Sequence, residues 1–249
     1  VQRPRRHVHD RAAPQPDLHG PVAVAVRIQA HPRRAELAGE LLECLDGAEV
    51  VYDPDPDGPL SPWRTYRACL EDGVAAGASH VLVVQDDVVV CGHLVEGVER
   101  AAAARPEDVL AFFVPGKPAK YVAAVDQARA LGLSWAVLTL GTWIPVVATL
   151  WPADLAARLV AWYDEQRYRY FVADDEIAGR FLASVERPPL ASVPSLVEHP
   201  DTVPSVMNSH RRGGDGLDPG RRAHLWVGDL PELGCDATAI DWTLGPAPS

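Results

Sequence analysis

The chain has 249 residues and a formal net charge of −11, a length that suits one large domain or two small ones. The acidic balance argues against broad contact with nucleic acid or an anionic membrane surface. No stretch approaches the roughly 18–20 apolar residues that a membrane-spanning helix needs.

Residues 1–20 carry Arg3, Arg5, Arg6 and Arg11 but no apolar core. They read as a flexible basic arm and not as a secretory signal. A single domain is expected over 21–249. "PVAVAVRI" (21–28) is a β-branched run and predicts a buried strand. "RRAELAGELLECL" (33–45) sets Leu37, Ala38, Leu41, Leu42 and Leu45 on one helical face. "AEVVYD" (48–53) predicts a second strand, closed by the breaker cluster "DPDPDG". Ser61 and Pro62 then mark a helix start. Trp63, Tyr66, Leu70 and Val74 form that helix's apolar stripe, and Gly77 stops it.

"HVLVVQDDVVVC" (80–91) follows. Its apolar run predicts a third strand, and adjacent carboxylates inside it need a partner, because burying an unpaired carboxylate is costly. That partner is a metal ion, a basic side chain, or the solvent around a turn. Strand and helix alternate through the first hundred residues, which predicts an α/β fold with a mainly parallel sheet of Rossmann type and helices on both faces. Ligands bind such sheets outside the carboxyl ends of the strands, where Asp86 and Asp87 fall. Further on, "DVLAFFV" (108–114) predicts a strand and "YVAAVDQARALG" (121–132) a helix. "SWAVLTL" and "WIPVVATLW" read as extended segments. "PADLAARLVAWYDEQ" (152–166) and "DDEIAGRFLAS" (174–184) read as helices, the second opening on acids as the helix dipole prefers. From 186 onward the chain is rich in Pro, Gly and charge and is expected to be irregular, covering the active edge of the sheet.

The four cysteines, Cys44, Cys69, Cys91 and Cys235, are widely spaced and include no CxxC pair. They argue against a cysteine zinc site and suit a reducing cytoplasm.

The run "SPWRTYRACLEDGVAAGASHVLVVQDDVVVCGHL" resembles nucleotide-sugar glycosyltransferases of the GT-A fold, in which an apolar strand ends in a DxD-type acidic motif. Here that motif is Gln85-Asp86-Asp87, with Gln in the first position. Two further segments share the resemblance. "PSLVEH" (194–199) looks like the short strand that ends in a metal-binding His, and "ADDEIAGR" (173–180) like the helix start that supplies the catalytic base.

The resemblance implies a metal-dependent, inverting transfer of a sugar from a nucleoside diphosphate sugar to an acceptor hydroxyl, with a saccharide, another small molecule, a peptide and a modified nucleobase all open as the acceptor. It implies Mn2+ or Mg2+ held by Asp87 and His199, with His210 as the rival for the second position. Asp174 or Asp175 is the expected base. Ala30, His31, Arg33, Asp53, Gln85 and Asp86 are expected around the nucleotide. Arg211 and Arg212, in the Gly-rich loop 209–222, are expected to close over the diphosphate. Each of these has a plainer reading: helix caps for the acids at 174–175, a solvated turn for Asp53, a surface loop for 209–222. Two other classes stay open, a nucleotidyltransferase or phosphoesterase using the same acids, and a non-catalytic nucleotide-sugar or glycan-binding module. No P-loop and no GxGxxG are present.

Overall fold

The computed structural model describes residues 22–166, 173–200 and 221–246. The strands are β1 (Val24–Ala30), β2 (Glu49–Tyr52), β3 (His80–Gln85), β4 (Val89–Val90), β5 (Leu110–Ala111), β6 (Trp135–Val137), β7 (Ala148–Pro152), β8 (Leu190–Ser192) and β9 (Val197–Glu198). The helices are α1 (Ala35–Cys44), α2 (Pro62–Ala75), α3 (Leu94–Ala104), α4 (Ala119–Ala130), α5 (Ala153–Glu165) and α6 (Asp174–Ser184).

Seven strands form one sheet in the order β2-β1-β3-β7-β5-β8-β6. β1 pairs in parallel with β2 and β3, and β5 in parallel with β8. β7 lies antiparallel between β3 and β5, and β6 antiparallel to β8. β1, β2, β3, β5 and β8 therefore run one way, and β6 and β7 the other. The sheet is mixed, with most strands sharing a direction. β4 and β9 form a separate antiparallel ribbon beyond the end of β3, pairing Val89 with Glu198 and Val90 with Val197.

The period of two along β3 builds the layers. Leu82 and Val84 join Val26 and Ile28 of β1 under Leu41 of α1 and Leu94 and Val98 of α3. Val81 and Val83 point the other way, to Tyr66 and Leu70 of α2, Leu155 of α5 and Phe181 of α6. Helices cover both faces. Gly73 of α2 sits against Val81, where an added Cβ would lie 2.6 Å from a valine methyl; the missing side chain lets helix and strand approach closely.

Local chemistry explains several boundaries. Pro32 opens a 3-10 turn (Pro32–Arg34) before α1, so that helix starts at Ala35. Ser61 precedes α2 in extended backbone but makes no side-chain cap bond; Pro62, lacking an N–H, already removes one orphan donor. On α1, Ala38 and Leu41 are buried but Leu42 is exposed, and Cys44 is exposed too. The C-terminal region packs Val227, Ala237, Ile240 and Trp242 into the cluster under α3. Among the described residues it covers that face of the domain, and its stretch 221–223 reaches the acids at the strand ends: Arg221 and Arg222 pair with Asp87 and Glu198, and Ala223 N donates to Glu198. No described helix is long and apolar enough to cross a membrane.

Candidate functional site

The parallel strands β1, β2 and β3 end at a common edge. Gln29 and Gln85 are register partners there, and Asp86 N donates to Gln29 O at 3.1 Å. The chain then turns at Asp86–Asp87 before β4. Both side chains are buried, Asp86 at 6% and Asp87 at 5% exposure.

A turn and a basic partner coexist at these acids. Arg34, placed by the Pro32 turn, bridges the two carboxylates: one guanidinium nitrogen lies 2.7 Å from Asp86 Oδ1 and 2.9 Å from Asp87 Oδ2. His31 N donates to Asp86 Oδ2 at 3.0 Å. The β4–β9 ribbon brings the second half of the chain to the same place. His199 follows β9 directly, and its Nε2 lies 3.1 Å from Asp87 Oδ2. Arg221 stands 3.7 Å from that oxygen. Burial alone would push Asp87 up, but His199, Arg34 and Arg221 outweigh it and hold this carboxyl well below the usual range. Burial wins at Asp86, whose carboxyl is raised with help from Asp87 and against the pull of Arg34.

The Asp87–His199 pair fits a divalent cation. His199 is 1% exposed; among the described residues its Nδ1 and Asp87 Oδ1 have no hydrogen-bond partner, and its Nε2 meets Asp87 Oδ2 at 3.1 Å outside ideal hydrogen-bond geometry. Unsatisfied buried polar atoms are costly. Imidazole and carboxylate both ligate such ions, and two neighbouring ligands at about 2.1 Å from an octahedral ion stand roughly 3 Å apart. Among the described residues no group of three or more His, Cys, Asp or Glu is arranged for a metal.

Glu198 locks His199 in place, a role the sequence reading did not single out. Its Oε1 accepts from His199 N at 2.8 Å and from Ala223 N at 2.7 Å, and Arg222 lies 3.2 Å from Oε2. Its position beside the His in "VEH" was the only signal.

A second pair of acids opens α6 at the same edge. Asp174 is 5% exposed, and its Oδ2 accepts from Gln29 Nε2 at 3.0 Å. Its Oδ1 accepts from Asp175 N at 3.0 Å, and Asp175 Oδ1 from Glu176 N at 2.7 Å, so both acids also serve the open helix end. Asp175 Oδ2 accepts from the Trp143 indole. Gly179 makes that approach possible, since a Cβ there would lie 2.5 Å from Trp143 N. Burial first, then Asp175, push Asp174 up to about 6 against the Gln29 bond. Burial raises Asp175 as well, against the Trp143 bond. Gln29, missed in the sequence, had a signal: an amide near the end of a buried strand must find partners, and Pro62 O and Asp174 are those partners.

The remaining expected positions divide. Ala30 is buried, and its carbonyl accepts from Asp53 N at 2.9 Å. His31 reaches Asp86 through its backbone, while its Nε2 is buried without a partner among the described residues. Gln85 lies in β3, its N–H bonded to Val147 O at 2.9 Å. Arg33 is exposed and forms no ion pair among the described residues; its neighbour Arg34 holds the acids instead. Asp53 is taken by Arg64, which donates to both of its oxygens at 2.6 and 2.8 Å. Arg64 sits in the first turn of α2, which is what aims it at the end of β2. The arm 1–20 and Arg211, Arg212 and His210 lie outside the described residues. The chain matches no protein-family model and no curated protein.

Proposed function

We propose that the protein is a glycosyltransferase that takes a sugar from a nucleoside diphosphate donor and passes it, with inversion, to an acceptor hydroxyl. One observation carries the reading. The β4–β9 ribbon brings Asp87 and His199, from opposite halves of the chain, to 3.1 Å, with buried atoms that have no partner among the described residues, beside a strand edge that also holds Asp174.

Asp87 and His199 would hold Mn2+ or Mg2+ together with the donor diphosphate. When bound, such an ion stabilises the negative charge that grows on the leaving diphosphate. Arg34 and Arg221 add positive charge next to Asp87. Asp174 takes the proton of the acceptor hydroxyl. A carboxyl near 6 is ionised at neutral pH yet basic enough to accept a proton in the transition state. Gln29 fixes the carboxylate's orientation.

A second reading rests on Arg34. It already bridges both acids, so the positive charge facing a diphosphate could be internal and the transfer independent of metal. The test is a panel of nucleoside diphosphate sugars, followed by release of nucleoside diphosphate with Mn2+, with Mg2+ and with excess chelator. Turnover that chelator stops and metal restores supports the first reading. Full turnover in chelator establishes the second. Failure to bind or cleave any donor of the panel overturns both.

A further inference from the structure

We propose that Cys91 and Cys235 form a reversible redox pair, which closes to a disulfide when the protein meets a small-molecule disulfide such as oxidised glutathione. The inference is independent of the glycosyl-transfer reading.

The backbone places the two residues side by side. Just after β4, Gly92 forms a parallel bridge with Asp236. Gly92 N donates to Cys235 O at 2.8 Å, and Ala237 N donates to Gly92 O at 3.1 Å. The residues preceding the bridged pair are Cys91 and Cys235. The bridged pair sits at paired-chain spacing, about 4.8 Å; Cys235, next to it, leaves extended backbone with a φ of 56°, and disulfides span Cα separations of about 4.4–6.8 Å. The side chains meet the same surroundings: Cys91 belongs to the cluster under α1 and α3, and Cys235 packs against that cluster. Cys235 is also the titratable group that acts most strongly on Cys91.

Their exposures differ, and that sets the order of events. Cys91 is 3% exposed, and burial pushes its thiol up to about 12. It is a poor nucleophile towards a reagent in solution. Cys235 is partly exposed. The Cys235 thiolate attacks a sulfur of the reagent disulfide, forming a mixed disulfide and releasing one thiol. Cys91 then loses its proton and attacks the Cys235 sulfur, breaking the mixed disulfide and releasing the second thiol. Two protein thiols are oxidised and one reagent disulfide is reduced to two thiols, so atoms and electrons balance. The product ties the C-terminal segment to the end of β4, the strand that pairs with β9 ahead of His199.

Of the other cysteines, Cys69 acts as an internal control and Cys44 is removed. Cys44 is exposed and Cys69 is buried, and burial raises the Cys69 thiol strongly. The experiment uses the full chain with Cys44→Ser, to prevent links between molecules, equilibrated in glutathione buffers of increasing oxidised fraction. Non-reducing peptide mass spectrometry is expected to find a Cys91–Cys235 linked peptide and an intact mass lower by about 2 Da, the two hydrogens lost. Cys91→Ser should instead accumulate the glutathione adduct on Cys235, and Cys235→Ser should leave Cys91 unmodified. Thermal unfolding gives a second readout: the oxidised protein should melt higher than the reduced one, a difference absent in Cys235→Ser. A stable glutathione adduct on Cys235 with no linked peptide in the Cys44→Ser protein overturns the proposal. So does a chain left wholly reduced in fully oxidised glutathione.

Discussion

Two Asp–Asp pairs lie at one edge of the sheet, and their surroundings differ in kind. Arg34, His199 and Arg221 gather on Asp87. Neutral donors, Gln29 and the Trp143 indole, serve Asp174 and Asp175. The consequence is opposite at the two key carboxyls: Asp87 is held ionised, while Asp174 is pushed up to about 6. Residue type is the same in both. Neighbours decide that one pair can hold positive charge and the other can hold a proton, and such divergence within a site marks a division of chemical labour.

The largest expected effect comes from removing the charge-holding partner. Asp87→Ala should reduce metal-dependent donor turnover to background, measured as nucleoside diphosphate released. If that variant turns over donor at the wild-type rate, the contrast has no functional content. Asp174→Asn tests the other pair. The amide can still accept from Gln29 but cannot take a proton, so kcat should fall by about 10²–10⁴-fold with donor affinity retained. Asp175→Asn should cost less, because its oxygens serve Trp143 and the helix end. Equal losses in the two variants would assign the base wrongly.

The pH dependence sharpens the same point. Ionised Asp174 is the working form, so kcat should fall as pH drops through about 6, approaching about tenfold per unit below it. The acid limb should vanish from the residual activity of Asp174→Asn. Stability should move the other way. The native carboxyl titrates near 6 and the unfolded one near 3.8, so the native state binds the extra proton between those values. Stability from this group is greatest at low pH and is lost as pH rises through that window. Asp174→Asn removes the cost of a buried ionised carboxyl. It should therefore stabilise the protein at pH 8 by on the order of 2–3 kcal/mol, with no gain near pH 3.5, as read by denaturant unfolding. Arg34→Gln gives the smallest effect. Without that guanidinium beside both acids, Mn2+ binding followed by spin resonance should tighten, by roughly tenfold if one charge-assisted contact no longer competes. Unchanged affinity would separate Arg34 from the cation site.

Much of this arrangement was legible in the sequence where periodicity is long and local. The α6 helix spans the expected 174–184, and β3 ends where the acids begin. The strand predicted over 108–114 shrinks to Leu110–Ala111, although its neighbours stay buried, because apolar runs report burial and not ladder pairing. Strand direction was not legible: nothing local in "WIPVVATLW" says that β7 runs against β3. The two-residue ribbon β4–β9 is too short to carry a period, so the meeting of Asp87 and His199 came from the resemblance and not from patterning. The choice of Arg34 over Arg33 depended on the angle of a three-residue turn, which spacing alone does not resolve.

The ribbon also has a kinetic meaning. Asp87 and His199 meet only when a strand from late in the chain pairs with one from early in it, a contact of high sequence separation that pays its loop-closure entropy before it is rewarded. On a growing chain Arg34 is made before the acids and His199 long after them. The guanidinium reaches Asp86 and Asp87 with only β1 and β3 paired, whereas His199 needs the second half of the chain. Arg34 is thus the local counter-ion of the two acids and His199 the distant one.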